Sequence, residues 1–361
     1  MKAVEVNNRK TQKKFLDFRK KIYKNNPVFV DNNLFMIKEL FAGKTSFTDN
    51  KEIFVYNIEE NNVVLCQGMI VYTGMLPEYV QLCFFESEPD AYEAVKLLVD
   101  KAVEIGTVYG CEKLVIGLNG HVNYGLGFLN SDYDEKNSFS SSVNPEYYNT
   151  YFRQMNCDEI NLNTYKIDVI DNRLDRYQAI INKINRNYTF KYFDKKQFDY
   201  YSRIYTDLNN ICFAKHRYYY RRNYAEDKEM LKELFLFMKE DSLIFAFDDD
   251  KPVGFIMWYP DFNELAKQGE AFGAKHFIKN IFLNKKIKTA KIMEFGILEE
   301  YRSVGLPIAL IHQIFLSLPK YNITKVDTSW ILEENKDSNS VCRAICDDTH
   351  KRFVVYEKRI K

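Results

Sequence analysis

The stretch Lys291-Ile-Met-Glu-Phe-Gly-Ile-Leu-Glu-Glu-Tyr-Arg-Ser-Val-Gly-Leu-Pro-Ile-Ala-Leu310 decides the fold. Its apolar residues predict a strand that ends near Leu298 and a helix that begins at Leu306 or Pro307. The short turn between them carries Arg302 and Gly305. A helix N-terminus presents free backbone N–H groups and the positive end of the helix dipole. The stretch therefore predicts an anion-binding turn, of the kind that holds a pyrophosphate.

Three residues of this turn have a predicted part in holding the anion. Gly305 lacks a Cβ, so the backbone there can approach phosphate oxygens closely. Arg302 can supply positive charge. Pro307 suits the first turn of a helix, although it removes one N–H from the binding site.

The rest of the chain shows two similar series of strands and helices. In the first series we expect helices over 9–23 and 91–105 and strands over 52–58, 63–72, 79–85 and 113–118. In the second series we expect helices over 196–214, 226–239, 306–318 and 336–346 and strands over 188–193, 243–247, 253–258, 289–298, 325–332 and 352–358. The stretch 131–144 between the series is so polar that we expect an exposed loop, and the insertion 264–286 predicts an extra helix.

Three motifs of the second series resemble the GNAT N-acetyltransferases. Arg302-Ser-Val-Gly305-Leu-Pro307 resembles the family's Arg/Gln-x-x-Gly-x-Gly/Ala signature, with proline in place of the usual small residue. Thr328-Ser-Trp-Ile-Leu-Glu-Glu-Asn335 resembles the fifth strand and the asparagine that opens the next helix. Lys251-Pro-Val-Gly254-Phe-Ile-Met resembles the second strand of the family's hairpin. The whole chain is similar to bacterial proteins with two GNAT-like halves.

This resemblance implies an α/β (α+β) fold of two tandem GNAT-like domains, each a mixed, mostly antiparallel sheet flanked by helices. The boundaries implied are 1–170 for a degenerate N-terminal domain and 171–361 for an acyl-CoA-binding domain. The co-substrate implied is acetyl-CoA or another acyl-CoA. Its expected binding residues are Phe295, Gly296, Ile297, Leu298, Arg302, Ser303, Val304, Gly305, Leu306, Pro307 and Asn335.

Glu294 is the candidate general base, because several members of the family carry a catalytic carboxylate on the equivalent strand. Burial would raise its pKa toward neutrality. Many members also have a tyrosine that protonates the leaving thiolate, and the matching region, Ser340-Val-Cys-Arg343, has none. Cys342, Tyr356 or water could take that part. Asp261 and Asn263 could line the acceptor side, although ordinary turn chemistry explains them equally well.

The first series carries carboxylates where a pyrophosphate would bind. Glu86, Glu88 and Asp90 follow its strand at the place of the phosphate turn. Negative charges there would repel the anion. This half is therefore interpreted as a degenerate copy.

The run Lys215-His-Arg-Tyr-Tyr-Tyr-Arg-Arg-Asn-Tyr224 mixes cations with aromatic residues. Such a run could bind an anionic or nucleic-acid acceptor by phosphate contact and stacking. A turn whose aromatics fold into the core explains it as well, and we favour that interpretation over nucleic-acid binding.

Three functions compete. The first is an acyl-CoA-dependent N-acyltransferase, in which the amine of a small molecule or peptide attacks the thioester directly. The second is an aminoacyl-transferase that takes its donor from tRNA, which the basic aromatic run favours. The third is a non-catalytic acyl-CoA-binding or regulatory module, which Pro307 and the missing tyrosine favour.

The composition limits the partners that we expect for the protein and its location in the cell. The formal net charge is +1, which argues against a general polyanion binder. The seven cysteines are scattered without a CxxC pair, as is typical of reduced thiols in a cytosolic protein, and we expect no metal site. No apolar run is long enough for a membrane span, so we expect a cytoplasmic protein without membrane contact.

Overall fold

The computed structural model describes residues 1–234, 238–271, 273, 275–276, 279, 283, 286–346 and 349–360. They form two compact units. The first unit comprises Met1–Leu162, Ala266–Phe272 and Lys351–Lys361, and the second comprises Asn163–Leu265 and Gly273–His350. The C-terminal segment, which the sequence assigned to the domain 171–361, thus groups with the first unit.

The first unit contains a mixed sheet flanked by helices. Its strands are β1 (Lys2–Glu5), β2 (Glu52–Glu60), β3 (Val63–Tyr72), β4 (Tyr79–Ser87), β5 (Lys113–Ile116) and β6 (Phe128–Leu129), and its helices are α1 (Arg9–Ile22), α2 (Leu34–Ala42), α3 (Tyr92–Val108) and α4 (Tyr147–Gln154). The strand order is β1-β2-β3-β4-β5-β14, where β14 is the C-terminal strand Thr349–Arg359. In the pairings within this order, β4 and β5 are parallel and their neighbours antiparallel.

A tight turn at two asparagines joins β2 to β3. Asn61 and Asn62 have φ angles of 49° and 67°. Two residues with positive φ match the twist of a tight hairpin, and asparagine tolerates this backbone conformation.

The second unit contains a sheet of the same kind. Strand β7 (Asp158–Asp168) enters it at Asn163, and the other elements are α5 (Gln178–Asn187), β8 (Thr189–Tyr192), α6 (Phe198–Cys212), α7 (Tyr224–Leu234), β9 (Leu243–Asp248), β10 (Lys251–Pro260), β11 (Thr289–Ile297), α8 (Leu306–Ser317), β12 (Lys325–Thr328), β13 (Ile331–Leu332) and α9 (Lys336–Ile345). The strand order is β7-β12-β11-β10-β9-β8, with β13 beside β7. Here β11 and β12 are the parallel pair. The predicted fold class is therefore confirmed.

Two predicted elements of the second unit need correction. The strand predicted over 325–332 is two short strands, β12 and β13, with Ser329 and Trp330 between them. The helix predicted over 226–239 is described from Tyr224 to Leu234, and Met238 and Lys239 are not helical. Residues 235–237 lie outside the described chain.

The loop predicted over 131–144 is exposed at Asp132 and at 134–136, and it is buried at three other positions. Asn137, Ser138 and Asn144 are buried, although the segment has no regular structure. The Nζ atom of buried Lys351 donates to the carbonyl of Glu135 at 2.8 Å and to Oδ1 of Asn137 at 2.5 Å. Polar groups can be buried when they are hydrogen-bonded, and Lys351 provides such a bond to Asn137.

The insertion 264–286 is described only in part. Ala266–Phe272 belongs to the first unit, where Gly269 N donates to the carbonyl of Phe29 at 2.8 Å and Ala271 forms a parallel bridge with Asp31. Residues 272, 274, 277–278, 280–282 and 284–285 of the predicted extra helix lie outside the described chain.

Candidate active site

The parallel pair of the second unit separates at the place where the sequence predicts a ligand. β11 and β12 pair up to Ile292 and Thr328, and Ser329 N makes one further bond to the carbonyl of Ile292 at 2.8 Å. β11 then continues to Ile297 with only β10 beside it in the described pairing. The divergence leaves one side of this backbone available to an extended ligand, which can bind as an added strand does.

A β-bulge turns Glu294 toward this opening. The register of β10 and β11 shifts between Met257 and Trp258, because β11 has an extra residue, Met293. Bulges bend a strand and redirect the side chains that follow. Glu294 and its two neighbours are half-buried, whereas most of β11 is buried. The carboxylate therefore lies at the part of the strand that solvent reaches.

Two side chains of α6 hold the Glu294 carboxylate. Tyr205 Oη and Asn209 Nδ2 both donate to its Oε2 atom, at 2.5 and 2.7 Å. Both donors are nearly fully buried, and they are four residues apart on one helix face. Burial and the neighbouring carboxylate raise the pKa of Tyr205 well above its usual value, so it remains a donor. The sequence analysis missed both residues, although their i, i+4 spacing was visible.

A buried ion pair interacts electrostatically with Glu294. Arg222 and Asp227 approach to 2.8 Å, and both are buried. Burial raises the pKa of Asp227 to about 6, and the charge of Arg222 opposes this rise. Asn210 fixes the chain here, because its Oδ1 atom accepts from Tyr219 Oη at 2.7 Å and from Arg222 N at 3.0 Å.

The predicted anion-binding turn is tightly folded. Glu299–Val304 is 3₁₀-helical, Gly305 has φ 93°, and α8 begins at the next residue with a proline in its first turn. Ser303 and Val304 are exposed, whereas Leu306, Pro307 and Ile308 are buried. The exposed surface of the turn is thus formed by the two residues before the glycine.

Arg302 binds protein backbone in this structure. Its Nε atom donates to the carbonyl of Ile297 at 3.1 Å, and Nη2 approaches the carbonyl of Cys212 at 3.4 Å. The guanidinium therefore joins the end of β11 to the end of α6. The charge that the sequence assigned to phosphate binding also stabilises the turn.

The other residues predicted to bind acyl-CoA are those at the end of β11 and Asn335, which caps a helix. Phe295 is half-buried, Gly296, Ile297 and Leu298 are buried, and Asn335 is exposed. Asn335 is the N-cap of α9, where its Oδ1 accepts from Ser338 N at 3.1 Å. This capping explains the residue without a ligand.

The candidate proton donors for the thiolate are buried. Burial raises the pKa of Cys342 to about 12. Tyr356 is a fully buried member of the first unit's core, where its ring packs near Phe128 and Phe152. The burial of both groups disfavours proton donation to a leaving group.

Asp261 and Lys291 belong to a second buried cluster. Asp261 Oδ1 accepts from the backbone N–H of Asn263 at 3.1 Å, which is turn chemistry. Lys291 pairs with Asp327 in the register of β11 and β12. Burial lowers the pKa of Lys291 to about 8, although Asp327 and Asp261 oppose this change. Asp327 also approaches His350 Nδ1 at 3.3 Å.

The basic aromatic run is a folded turn, and the cations that it contributes are largely ion-paired. Lys215 pairs with Glu299 at 2.8 Å and Arg217 with Glu334 at 2.8 Å. The run also contains the buried cation Arg222 described above, and its three consecutive tyrosines are buried. These pairs connect the run to the segment after β11 and to the segment before α9.

His216, in this turn, predicts an acid-sensitive stability. Its ring centroid lies 5.7 Å from that of Trp330, and burial lowers its pKa to about 4. The unfolded chain takes up this proton near pH 6.5 and the folded chain only near pH 4. We expect the free energy of unfolding to fall by about 2–3 kcal/mol over that interval. Urea titrations at stepwise pH should show a smaller fall in His216→Phe, and equal slopes would contradict this assignment.

The first unit repeats the geometry of the parallel pair, with an asparagine side chain bonded to the backbone beyond the point where the strands separate. β4 and β5 pair up to Leu82 and Ile116, and Gly117 N then donates to the carbonyl of Leu82 at 3.2 Å, as in the second unit. Beyond this point Asn119 Oδ1 accepts from Phe84 N at 3.0 Å. Phe84, two residues after Leu82, takes the place that Glu294 takes after Ile292.

Helix α4 covers the turn between β4 and α3 of the first unit. Tyr148 Oη accepts from Ser87 N at 2.9 Å, and Tyr151 Oη accepts from Ala91 N at 3.1 Å. Tyr148 Oη also donates to Glu86 at 2.8 Å. The N–H groups that would face an anion in a GNAT-like domain are therefore bonded to tyrosines of the same unit.

Other structural features limit the chemistry of the described residues. All seven cysteines are free thiols. In the part of the chain that the structure describes, no group of three or more His, Cys, Asp or Glu side chains is placed to hold a metal ion. No helix among the described residues has the length and apolar character to cross a membrane.

Comparison of sequences gives a distant relative. The chain matches no known protein-family model. It is 23% identical over 191 residues to Protein YghO of Escherichia coli (strain K12). The match covers 51% of this chain and about half, 49%, of that relative's length.

Comparison of structures gives a tandem GNAT protein and two proteins described as acyltransferases. A tandem GNAT protein from the clavulanic acid biosynthesis pathway has a TM-score of 0.58 at 12% identity, covering 100% of this chain and 98% of that one. A glucosamine N-acetyltransferase region of a fungal multi-domain β-N-acetylglucosaminidase has a TM-score of 0.58 at 14% identity, covering 99% and 38%. A probable N-acyltransferase from Enterococcus faecalis V583 has a TM-score of 0.54 at 9% identity, covering 99% and 72%. At these identities the likeness establishes the fold.

Proposed function

From the premise that this chain carries the GNAT fold in tandem, we propose that it is an acyl-CoA-dependent N-acyltransferase, with acetyl-CoA as the first donor to test. The observation that carries the proposal is the Glu294 carboxylate, held by Tyr205 and Asn209 at a bulge where the parallel strands separate. A positioned carboxylate beside an extended-ligand groove is suited to general-base catalysis.

In the proposed reaction, the pantetheine arm lies along residues 293–297 of β11 and the pyrophosphate lies near the turn before α8. The amine nitrogen attacks the thioester carbonyl carbon, forming the C–N bond and breaking the C–S bond. Glu294 accepts a proton from the attacking nitrogen. CoA leaves as the thiolate and takes a proton from water, since a thiol with a pKa near ~8.5 is a tolerable leaving group without a side-chain acid.

Acyl-CoA binding can be tested at an exposed residue of the turn. Ser303→Glu adds a negative charge without disturbing packing, and Ser303→Gln is its neutral control of similar size. We expect calorimetric titration with acetyl-CoA to show at least ~10-fold weaker binding for the glutamate variant. The added carboxylate would repel the negatively charged pyrophosphate. Equal affinities would remove the pyrophosphate from this turn, and no binding by folded wild type would refute the acetyl-CoA proposal.

We propose that the first unit is a degenerate copy. Its support is the bonding of Ser87 N and Ala91 N to Tyr148 and Tyr151, with Glu86 beside them. A phosphate would have to displace these bonds, and the Glu86 carboxylate is already paired with Arg19. The same titration should give one acetyl-CoA per chain. A stoichiometry of two, with one site left in Ser303→Glu, would contradict the proposal.

The runner-up is a non-catalytic acyl-CoA-binding module. It is favoured by Pro307, which provides no N–H at the start of α8, and by the backbone bonds that engage Arg302. Binding of acetyl-CoA without thiol release on any amine would support it. Donation from tRNA is less favoured, because Lys215 and Arg217 already pair with carboxylates.

A further inference from the structure

One buried polar atom beside Glu294 has no explanation within the fold. Asn209 is 1% exposed, and its Nδ2 atom donates to Glu294 Oε2 at 2.7 Å. Its Oδ1 atom is buried without a hydrogen-bond partner among the residues that the structure describes. An unsatisfied buried amide oxygen is costly, and native proteins contain few of them.

The orientation of this amide is fixed by its neighbour. An ionised carboxylate only accepts hydrogen bonds, so the Asn209 atom that faces Glu294 must be the NH₂ group. Tyr205 Oη donates to the same carboxylate oxygen. Tyr205 Oη and Asn209 Nδ2 therefore both donate to Glu294. The Oδ1 atom of Asn209 remains as an acceptor next to the carboxylate.

We infer that Asn209 Oδ1 and Glu294 together bind the acceptor nitrogen, and that the acceptor is a primary aliphatic amine that arrives as its ammonium ion. This inference rests on the proposed function. An ammonium group has three N–H donors and no acceptor, which complements two neighbouring acceptors. One N–H bonds to Asn209, and a second transfers its proton to Glu294 before the nitrogen attacks. The proton that the nitrogen loses after the attack passes to water, from which the departing thiolate takes one.

The charges around the site favour an amine without an adjacent carboxylate. Glu294 brings a negative charge, and Arg222 is paired with Asp227. Lys215 and Arg217 of the neighbouring turn are paired with Glu299 and Glu334. An α-amino acid would bring its own carboxylate toward Glu294, whereas an alkyl diamine brings only positive charge.

The test measures CoA thiol release from acetyl-CoA with putrescine, glycine and aniline as three probes of amine class. We expect putrescine to give at least ~10-fold higher kcat/KM than glycine, with aniline lowest, because the cationic probe makes both hydrogen bonds. Turnover that favours glycine or aniline would overturn the substrate class. Acetyl-CoA binding with no release on any probe would instead refute the proposed transfer reaction.

Three variants separate binding of the amine from positioning of the carboxylate. Asn209→Leu should raise KM for putrescine at least ~10-fold and leave acetyl-CoA affinity unchanged, since it removes the amide oxygen. Tyr205→Phe should lower kcat with little change in that KM, because the carboxylate loses a donor that positions it. Folding of each is checked by its thermal transition.

The isosteric Asn209→Asp keeps the inference testable if the leucine variant fails to fold. Its side chain keeps an acceptor oxygen in either protonation state, and an ionised carboxylate attracts an ammonium group. The KM for putrescine should therefore stay within about threefold of wild type at neutral pH or fall below it. A KM raised at least ~10-fold in Asn209→Asp, or a KM within about twofold of wild type in Asn209→Leu, would overturn the role of Asn209.

Discussion

Glu294→Gln is expected to lower kcat for acyl transfer by about 10²–10³-fold, the usual size of a general-base contribution. Glutamine has nearly the same shape but cannot take the proton of the attacking amine. The affinity for acetyl-CoA should change little, because the carboxylate lies on the acceptor side of the proposed reaction. The measurement is thiol release at saturating putrescine, with calorimetry for acetyl-CoA.

The matched control for this prediction is an exposed glutamate of the same unit. Glu240 is exposed and lies outside the candidate site, so Glu240→Gln should keep the wild-type rate. A folded Glu294→Gln variant that retains more than about a third of the wild-type kcat would exclude Glu294 as the base, since general bases contribute at least ~10²-fold.

Gly305→Ala is expected to destabilise the second unit by about 2–4 kcal/mol and to weaken acetyl-CoA binding at least ~10-fold. Two causes add. A Cβ at this position would lie 2.4 Å from Cγ2 of Ile180, and the backbone has φ 93°. Relief of the contact requires the turn to move, and the turn is the proposed pyrophosphate site. Thermal unfolding and calorimetry measure the two effects.

Two further variants separate the causes. Gly43 has φ 63° and no atom within 4 Å of its ideal Cβ, so Gly43→Ala should show the backbone cost alone. Adding Ile180→Ala to Gly305→Ala removes the colliding methyl and should restore part of the loss. If Gly305→Ala destabilises no more than Gly43→Ala does, the contact with Ile180 is unimportant.

The fold was predictable where local patterns decided it. The segment from β11 to α8 is an example. It contains an apolar strand, a glycine with positive φ and a proline in the first turn of the helix. Each of these features has a local physical reason. The β2–β3 hairpin follows from two asparagines between alternating strands. Such signals need no knowledge of distant residues.

The details of the site depended on distant partners. Tyr205 and Asn209 are 89 and 85 residues from Glu294, and periodicity in α6 says only that they share a helix face. Buried Asn137 accepts a hydrogen bond from Lys351, which lies 214 residues further along the chain. Arg302 was expected to face phosphate, but nearby carbonyls compete for the same guanidinium. Sequence patterns indicate which side chains can donate hydrogen bonds, but they do not predict which acceptors these side chains will contact.

The C-terminal strand has a consequence for how the chain folds during synthesis. The first unit ends its main segment at Leu162 but includes Lys351–Lys361, and β14 pairs with β5 within it. At ~5–20 residues per second, the ribosome needs roughly 10–40 s to make the intervening chain. Throughout that time β5 has been translated, but its neighbour β14 has not, so this edge of β5 is unpaired. The second unit, nearly continuous in sequence, is thus positioned to finish folding before the first.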